Sequence, residues 1–302
     1  MAPESPSYRS TLDGLFRRRR FGLRPGLEVI QTLLAGLGDP QRRFPSVHIT
    51  GSKGKGSVAA MTAAILTEHG LKTGLYTSPH LASYRERIRI DGRTIPPTGI
   101  VDGVARVERL TAERLAAGTI DREPTFFEVT TAVAFDWFAR RGVDAAVVEV
   151  GIGGRLDATN VLDARVGVIT TIELEHIEIL GPTVEAIAEE KAGILRAGMR
   201  AVVGELPDGA AKVVRRTTDR LGVPAWRLGR EISVGERELS ADGQSFDLKL
   251  PGREFPNLAI PLLGGFQCRN AALAVAAAMR FLDAIDRPLD PAAVPAALAR
   301  VR

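Results

Sequence analysis

Short apolar runs alternate with helix-like stretches along the first two thirds of the chain. Five runs dominated by apolar residues predict strands at 47–50, 71–77, 145–150, 166–171 and 201–204. The stretches between them predict helices at 58–69, 101–117, 126–141 and 184–195. The run at 145–150 is nearly all apolar, which is typical of a strand covered on both faces of a sheet. This order predicts an α/β fold with a mostly parallel, twisted sheet flanked by helices.

The two ends of the chain have different patterns. Residues 1–45 indicate a helical and irregular segment, with a helix that ends at the Gly- and Pro-containing residues 36–40. Residues 225–263 alternate apolar and polar positions, with Asp242-Gly243 as a turn signal. They predict a small antiparallel sheet attached to the main one, with strands at 232–234, 245–250 and 258–260. Alanine-rich helices are predicted at 270–284 and 291–299.

Composition places the chain among ordinary globular proteins. It has 302 residues, of which 45% are hydrophobic and 25% charged, and a net charge of +4. This small excess of positive charge favours anionic small molecules and does not require nucleic acid. The only cysteine, Cys268, excludes an internal disulfide and fits the cytoplasm. No apolar run reaches the ~18 residues of a membrane span, so we expect no membrane partner. We also expect small-molecule partners and a monomer.

Four consecutive arginines lie at residues 17–20. Such a run is compatible with an anion-binding or nucleic-acid-binding patch. No aromatic residues are interleaved with the arginines, as they are in many single-strand binding surfaces. We therefore interpret the run as a solvated basic stretch.

The segment GSKGKGS at residues 51–57 has the composition of a phosphate-binding loop. It lies between a predicted strand and a predicted helix, so the positive end of the helix dipole would face a bound anion. Glycines allow backbone N–H groups to turn inward, and Lys55 supplies a charge for the outer phosphates. The common motif has four residues between its first glycine and Gly-Lys, whereas Gly51 and Gly54 here bracket only two.

Three polar side chains come directly after other predicted strands. Ser78 follows the second strand, Glu149 closes the third, and His176 lies in the segment after the fourth. Because the carboxyl ends of parallel strands meet at one edge, we expect these residues to converge on the phosphate loop. Oxygen ligands with one nitrogen suit Mg²⁺ beside a nucleotide. Alternatively, Ser78 is a turn residue, His176 a packed residue and Glu149 a general base.

Two further features have more than one interpretation. Lys191 lies near the end of a predicted helix, and composition alone indicates a surface lysine. Phe126 and Phe127 belong to an aromatic-rich helix and are either core residues or flanks of a flat ring.

Several segments together identify a family. The chain resembles the folylpolyglutamate synthase and dihydrofolate synthase family, within the Mur ligase superfamily. The resemblance covers most of residues 45–200 and is carried by GSKGKGS (51–57), GLYTSPHL (74–81), ERIRI (86–90), TFFEV (125–129), EVGIGGRLDATNV (149–161), ELEHIEILG (173–181) and EEKAGIL (189–195).

The resemblance implies an ATP-dependent ligase that uses Mg²⁺ and adds L-glutamate to dihydropteroate or to folate and its polyglutamates. The residues implied to bind ATP are Gly51, Gly54, Lys55, Gly56, Ser57 and Asn270. The implied magnesium ligands are Ser78, Glu149 and His176, together with a carbamylated Lys191 for a second ion. Lys55, Lys191 and His176 are the implied catalytic residues. The implied pterin-binding residues are Thr125, Phe126, Phe127, Glu128, Leu156, Asp157 and Ala158.

The chain also departs from the family pattern. The family has Thr-Asn where this chain has Ser52-Lys53, which adds a second cation beside the phosphates. The family's Asn after Thr170 is Thr171 here, and its Gly-Leu-Asp-His reads Glu-Leu-Glu-His at residues 173–176. Phe266 stands where the family has a histidine.

The resemblance predicts how the chain is divided. We expect residues 1–302 to form the N-terminal and central ATP-binding domain of Mur ligase type, similar to a P-loop NTPase, with the C-terminal ligase domain outside this chain. A fragment that binds nucleotide or pterin without ligase activity is the main alternative. An unrelated P-loop kinase or NTPase would rest on the loop alone and would leave the GRLDATN and TSPH segments unexplained.

Overall fold

The computed structural model describes residues 6–18, 22, 24 and 26–301. Arg19 and Arg20 of the basic run lie outside the described residues. Arg18 is described, and its guanidinium lies 2.6 Å from the Glu123 carboxylate with only 15% of the side chain exposed. The interpretation of the run as solvated is therefore wrong for Arg18, because an acidic partner is close enough to hold it.

A central sheet organises the described residues. It contains eight strands: β1 (Ser46–Thr50), β2 (Thr73–Tyr76), β3 (Ile88–Ile90), β4 (Arg93–Thr94), β5 (Ala145–Glu149), β6 (Val166–Ile169), β7 (Arg200–Val203) and β8 (Ala225–Arg227). Their order across the sheet is β4-β3-β2-β5-β1-β6-β7-β8. Six of these strands run parallel to one another: β2, β5, β1, β6, β7 and β8. The other two, β3 and β4, form an antiparallel edge beside β2. The predicted mostly parallel sheet is confirmed.

Helices cover the sheet. They are α1 (Pro6–Arg17), α2 (Glu28–Gly36), α3 (Lys55–Glu68), α4 (Pro97–Ala116), α5 (Phe126–Arg141), α6 (Ile177–Leu180), α7 (Val184–Ala192), α8 (Asp208–Leu221), α9 (Gly265–Ala284) and α10 (Ala293–Leu298). Ala145 and Val147 of β5 pack in one core cluster with α3, α9 and α10. Ala146 and Val148 pack in another with α2, α4 and α5. The period of two along β5 therefore buries both faces of the sheet, as its apolar sequence predicts.

A second, three-stranded antiparallel sheet follows the main one. It consists of β9 (Ser233–Ser240), β10 (Gly243–Leu250) and β11 (Arg253–Ile260), which confirms the small antiparallel sheet. The predicted start of this region at residue 225 is wrong, because β8 pairs in parallel with β7 and closes the main sheet. Among the described residues, no helix is both long enough and apolar enough to cross a lipid bilayer.

Candidate active site

The phosphate loop joins β1 to α3 by a turn that only glycines adopt easily. Gly51 and Gly54 have φ angles of 148° and 80°, and α3 begins at Lys55. A Cβ at Gly54 would lie 2.5 Å from Asn270 Oδ1, so α9 packs directly against the loop. The backbone N–H groups of the first turn of α3 therefore face the carboxyl edge of the sheet, where an anion is stabilised.

Gly54→Ala is expected to lower the free energy of unfolding by about 2 kcal/mol, because alanine is strained at this φ and its Cβ would collide with Asn270. A thermal melt should show a midpoint lower by roughly 4 °C. Gly70→Ala is the matched control, since φ is 76° there but nothing lies within 4 Å of the new Cβ. Equal losses in both variants would show that contact with Asn270 does not constrain the loop.

Lys55 extends across the phosphate loop. Its Nζ donates to the carbonyl oxygen of Gly51 at 2.8 Å and to that of Ser52 at 3.4 Å. The ammonium therefore lies over the turn that the phosphate groups of a nucleotide would occupy. Burial raises the pKa of Glu149 and the Lys55 charge opposes that rise, which indicates that this carboxylate is near.

Glu149 is a buried carboxylate beside the loop. It closes β5, is 4% exposed and accepts a hydrogen bond from the Ser78 N–H at 2.9 Å. Both carboxylate oxygens would lie within 3.8 Å of a Cβ on Gly56. Burial raises the pKa of Glu149 to about 7, against the opposing effects of the Ser78 N–H, Lys55 and Arg87. The structure thus brings four predicted site residues, Ser78, Glu149, Gly56 and Lys55, to one edge of the sheet.

The donor set fits a hard cation only in part. A buried carboxylate with one hydrogen bond and a neighbouring hydroxyl residue suit Mg²⁺. Within the described ranges, no group of three or more His, Cys, Asp and Glu residues has the geometry of a metal site. His176 is exposed, precedes α6 with a φ of 45°, and makes no hydrogen bond to Ser78 or Glu149 in the described part of the chain. Its metal-binding role stays a prediction.

Lys191 is buried in α7. It is 1% exposed, and its Nζ donates to Glu175 Oε1 at 2.7 Å. The surface position that composition alone indicates is therefore wrong, because an acidic partner compensates the burial of the charge. Burial lowers the pKa of Lys191, and Glu175 opposes that effect. Carbamylation of Lys191 stays a prediction.

A cavity of about 390 Å³ is lined in part by residues 152–158, which follow β5 in the chain. It is lined by all seven residues that the resemblance implies for the pterin: Thr125, Phe126, Phe127, Glu128, Leu156, Asp157 and Ala158. Their pterin-binding role is a prediction, but the two separate sequence segments that contain them do share one cavity. β5 explains this arrangement, because the chain leaves Glu149 and forms the cavity wall within the next ten residues.

Hydrogen bonds fix the cavity wall. Thr125 and Glu128 cap the first turn of α5 reciprocally, and the Glu128 carboxylate also accepts two hydrogen bonds from Arg122. Asp157 accepts hydrogen bonds from the backbone N–H groups of Gly151 and Ile152, both at 3.1 Å. Burial raises the pKa of Asp157. These polar groups are held by the protein, so the cavity shape is set by the fold itself.

Aromatic rings form one side of the cavity. Phe126 stacks on Phe16 with ring centroids 5.8 Å apart, and Phe127 lies 6.0 Å from the ring of Tyr76. Both interpretations of Phe126 and Phe127 therefore hold in part, since each ring packs against other aromatics and also lines the cavity.

The structure adds site residues that the sequence did not indicate. Arg122 and the cavity-lining Arg24 carried no motif of their own, and Glu175 was part of the 173–181 segment without an assigned role. Only the position of Glu175 next to His176 was a signal. Asn270, by contrast, lies where the resemblance places it: it touches the phosphate loop and lines a neighbouring groove of about 440 Å³ together with Thr170, Thr171 and Phe266.

The comparisons with known proteins all indicate one family. The model of the Mur ligase middle domain matches residues 100–278. The folylpolyglutamate synthase of Lacticaseibacillus casei is 41% identical over 262 residues, which cover 87% of this chain and 61% of that protein. The dihydrofolate synthase/folylpolyglutamate synthase of Mycobacterium tuberculosis is 40% identical over 289 residues, which cover 92% of this chain and 59% of that protein.

A solved structure has the same fold. The Mycobacterium tuberculosis folylpolyglutamate synthase complexed with ADP and AMPPCP superposes with a TM-score of 0.91 at 38% identity, covering 99% of this chain and 67% of that one. The chain spans about three fifths of the length of the two curated relatives described above. These matches show that the chain belongs to the Mur ligase family, in its folylpolyglutamate synthase and dihydrofolate synthase branch.

Proposed function

We propose that this chain carries the ATP site and the acceptor site of a ligase that adds L-glutamate to dihydropteroate or to folate and its polyglutamates. The observation that carries the proposal is the end of β5. Glu149 faces the phosphate loop there, and residues 152–158 line the adjacent cavity. A nucleotide on the loop and a flat acceptor in the cavity would therefore meet at one edge of the sheet.

The reaction proceeds in two steps. A carboxylate of the acceptor attacks the γ-phosphorus of ATP, so that a P–O bond forms to the acceptor, ADP leaves and an acyl phosphate results. The amine of glutamate then attacks the activated carbonyl, an amide bond forms, and phosphate leaves as the amine loses a proton. Two anions must approach each other in the first step, so catalysis depends on positioning and on neutralising charge.

The chain supplies both. The N-terminal amides of α3 and the Lys55 ammonium face the phosphates, and the cavity orients the acceptor. Glu149 and Ser78 would hold magnesium, with His176 as a further predicted ligand and Lys191 for a second ion. When bound, magnesium neutralises phosphate charge. We further propose a monomeric protein with small-molecule partners in the cytoplasm.

A second candidate function is binding without ligation. It would mean that nucleotide and acceptor bind to these residues without product formation, so the test must measure binding and product formation separately.

Two measurements on the chain as it stands test both candidates. We expect calorimetry to show binding of Mg·ATP and of dihydropteroate, and we expect an assay of glutamate-dependent ADP release to show product. Binding of both ligands without product would support the second candidate. Absence of nucleotide binding at millimolar concentration would contradict both.

A further inference from the structure

The buried strand β1 carries polar side chains on one face. Ser46, His48 and Thr50 are two residues apart, so their side chains point to the same side of the sheet, and all three are completely buried. Thr50 Oγ1 donates to the carbonyl oxygen of Gly153 at 2.6 Å. His48 Nε2 lies 2.8 Å from Thr159 Oγ1. Two side chains of β1 are thus bonded to the segment that follows β5.

Thr159 connects His48 to a residue of the cavity wall. Thr159 Oγ1 donates to Asp157 Oδ1 at 2.5 Å, and the Thr159 N–H donates to the same oxygen at 3.0 Å. The other carboxylate oxygen, Oδ2, accepts from the N–H groups of Gly151 and Ile152. Asp157 itself lines the cavity. A buried line of hydrogen bonds therefore runs from β1 to the cavity wall.

The groups at the two ends of this line set the direction of its hydrogen bonds. Three backbone N–H groups point at the Asp157 carboxylate and favour its ionised form, against the burial that raises its pKa. An ionised carboxylate only accepts, so Thr159 Oγ1 donates to Asp157 and accepts from His48 Nε2. Burial and the charge of Arg196 lower the pKa of His48 to about 3, so the ring is neutral at pH 7 and carries its single proton on Nε2.

The second ring nitrogen of His48 has no such partner. Nδ1 is buried and makes no hydrogen bond within the described part of the chain. A buried polar atom without a partner is unfavourable, so packing of the core gives no reason for an imidazole at this position. The bond from Nε2 to Thr159 does give one.

We propose that His48 is a positioning residue for the acceptor cavity. Through Thr159 it holds the Asp157 carboxylate, and through Asp157 it holds residues 152–158 in the shape that receives a flat acceptor. The strand that ends at the phosphate loop would thereby also set the cavity wall. The flat acceptor as ligand rests on the proposed function, but the link between β1 and the wall does not.

Nitrogen NMR of the His48 ring tests the direction of the hydrogen bonds in the wild type. At pH 7, we expect a protonated Nε2 and an unprotonated Nδ1. A proton on Nδ1, alone or together with one on Nε2, would overturn the proposal.

Amide hydrogen exchange tests the link to the wall. Thr159→Val keeps the shape of the side chain and removes the hydroxyl, so the amides of Gly151 and Ile152 should exchange at least about tenfold faster than in the wild type. Thr159→Ser keeps the hydroxyl and should stay within about threefold of the wild type. Unchanged exchange of both amides in Thr159→Val would overturn the proposal.

Thr62→Val is the matched control for this substitution. Thr62 is completely buried in α3, and its hydroxyl has no hydrogen-bond partner among the residues that the structure describes. Its removal should therefore change the exchange of Gly151 and Ile152 by less than about threefold. Equal acceleration in Thr62→Val and Thr159→Val would contradict a specific link.

Ligand binding gives a readout that a general loosening of the fold would not reproduce. Calorimetry with dihydropteroate should show Kd raised about tenfold in Thr159→Val and by less than about threefold in Thr159→Ser and Thr62→Val. Kd for Mg·ADP should change by less than about threefold in all three variants, because the phosphate loop keeps its own contacts. Equal rises in Kd for both ligands in Thr159→Val would overturn the proposal.

A second pair of variants applies if Thr159→Val does not fold. Leucine and glutamine are similar in size, but only glutamine offers an N–H near the position of His48 Nε2. Faster exchange of the Gly151 and Ile152 amides in His48→Leu, with near-normal exchange in His48→Gln, supports the proposal, and equal exchange in the two variants overturns it. If the wild type does not bind dihydropteroate, the proposed function fails, while the NMR and exchange data still decide whether His48 positions the wall.

Discussion

Lys55→Ala is expected to lower kcat/KM for ATP by about 100- to 1000-fold, the usual cost of removing one preorganised charge-stabilising group from a transition state. The ammonium lies across the phosphate loop, 2.8 Å from the Gly51 carbonyl oxygen. Among the described residues, Lys55 Nζ donates hydrogen bonds only to carbonyl oxygens of the loop itself, so it does not tie the loop to another segment. The thermal midpoint should therefore change little. The measurement is glutamate-dependent ADP release over a range of ATP concentrations.

Lys53→Ala tests whether any positive charge on the phosphate loop supports turnover or whether the position of the Lys55 ammonium matters. Lys53 stands two residues earlier on the same loop, but its side chain is 75% exposed and pairs with Glu173. An exposed cation that already has an acidic partner adds little to phosphate binding, so kcat/KM should fall by less than about fivefold. Turnover by Lys55→Ala near the wild-type rate, or a comparable loss in both variants, would contradict the assigned role of Lys55.

The sequence predicts the parts of the site that local patterns determine. The loop at 51–57 needs glycines at positive φ, and the strands that end at Thr50 and Glu149 are buried on both faces, so apolar runs reveal them. The parallel order of these strands brings the loop and the carboxylate to one edge. For such features, the local composition and spacing of residues determine the structure directly, so the sequence is enough to predict it.

Other parts depend on contacts between distant segments, and sequence patterns do not contain them. Lys191 has the neighbours of a surface lysine in the sequence, but in the fold it is buried and paired with Glu175 from another segment. β8 lies at the start of the region predicted to be antiparallel, but it pairs in parallel with β7. Helix α8 is a different case: it was not predicted, although its buried positions, Ala210, Val213, Val214 and Thr218, recur at helical spacing.

Glu149→Gln is expected to have two opposite effects: loss of turnover and gain of stability. The carboxylate is 4% exposed beside the loop and is the predicted main ligand for magnesium, so the neutral amide should lower kcat/KM by at least about 100-fold. The same substitution removes a buried charge. Glutamine retains an oxygen that accepts the hydrogen bond from the Ser78 N–H, so the packing is preserved.

The pH dependence of the stability gain follows from the raised pKa of Glu149. Burial lifts this pKa from 4.5 to about 7 in the folded protein, so folding favours the protonated form. The neutral carboxyl contributes its full stability below pH 4.5, and this contribution is lost as pH rises through 7. Without magnesium, Glu149→Gln should thus match the wild type near pH 4.5 and exceed it by up to about 3 kcal/mol at pH 8.

Thermal melts between pH 4.5 and 8 in the presence of a chelator measure this difference. Glu128→Gln is the control, because Glu128 is equally buried but accepts two hydrogen bonds from Arg122, and its loss should destabilise the protein. Mg·ADP should raise the melting midpoint of the wild type more than that of Glu149→Gln. A Glu149→Gln protein less stable than the wild type at pH 8 would show that the buried carboxylate is compensated within the fold. The burial of Glu149 would then serve the stability of the core. A gain in stability, in contrast, would mean that the fold keeps an unfavourable charge where a cation and a nucleotide are expected to bind.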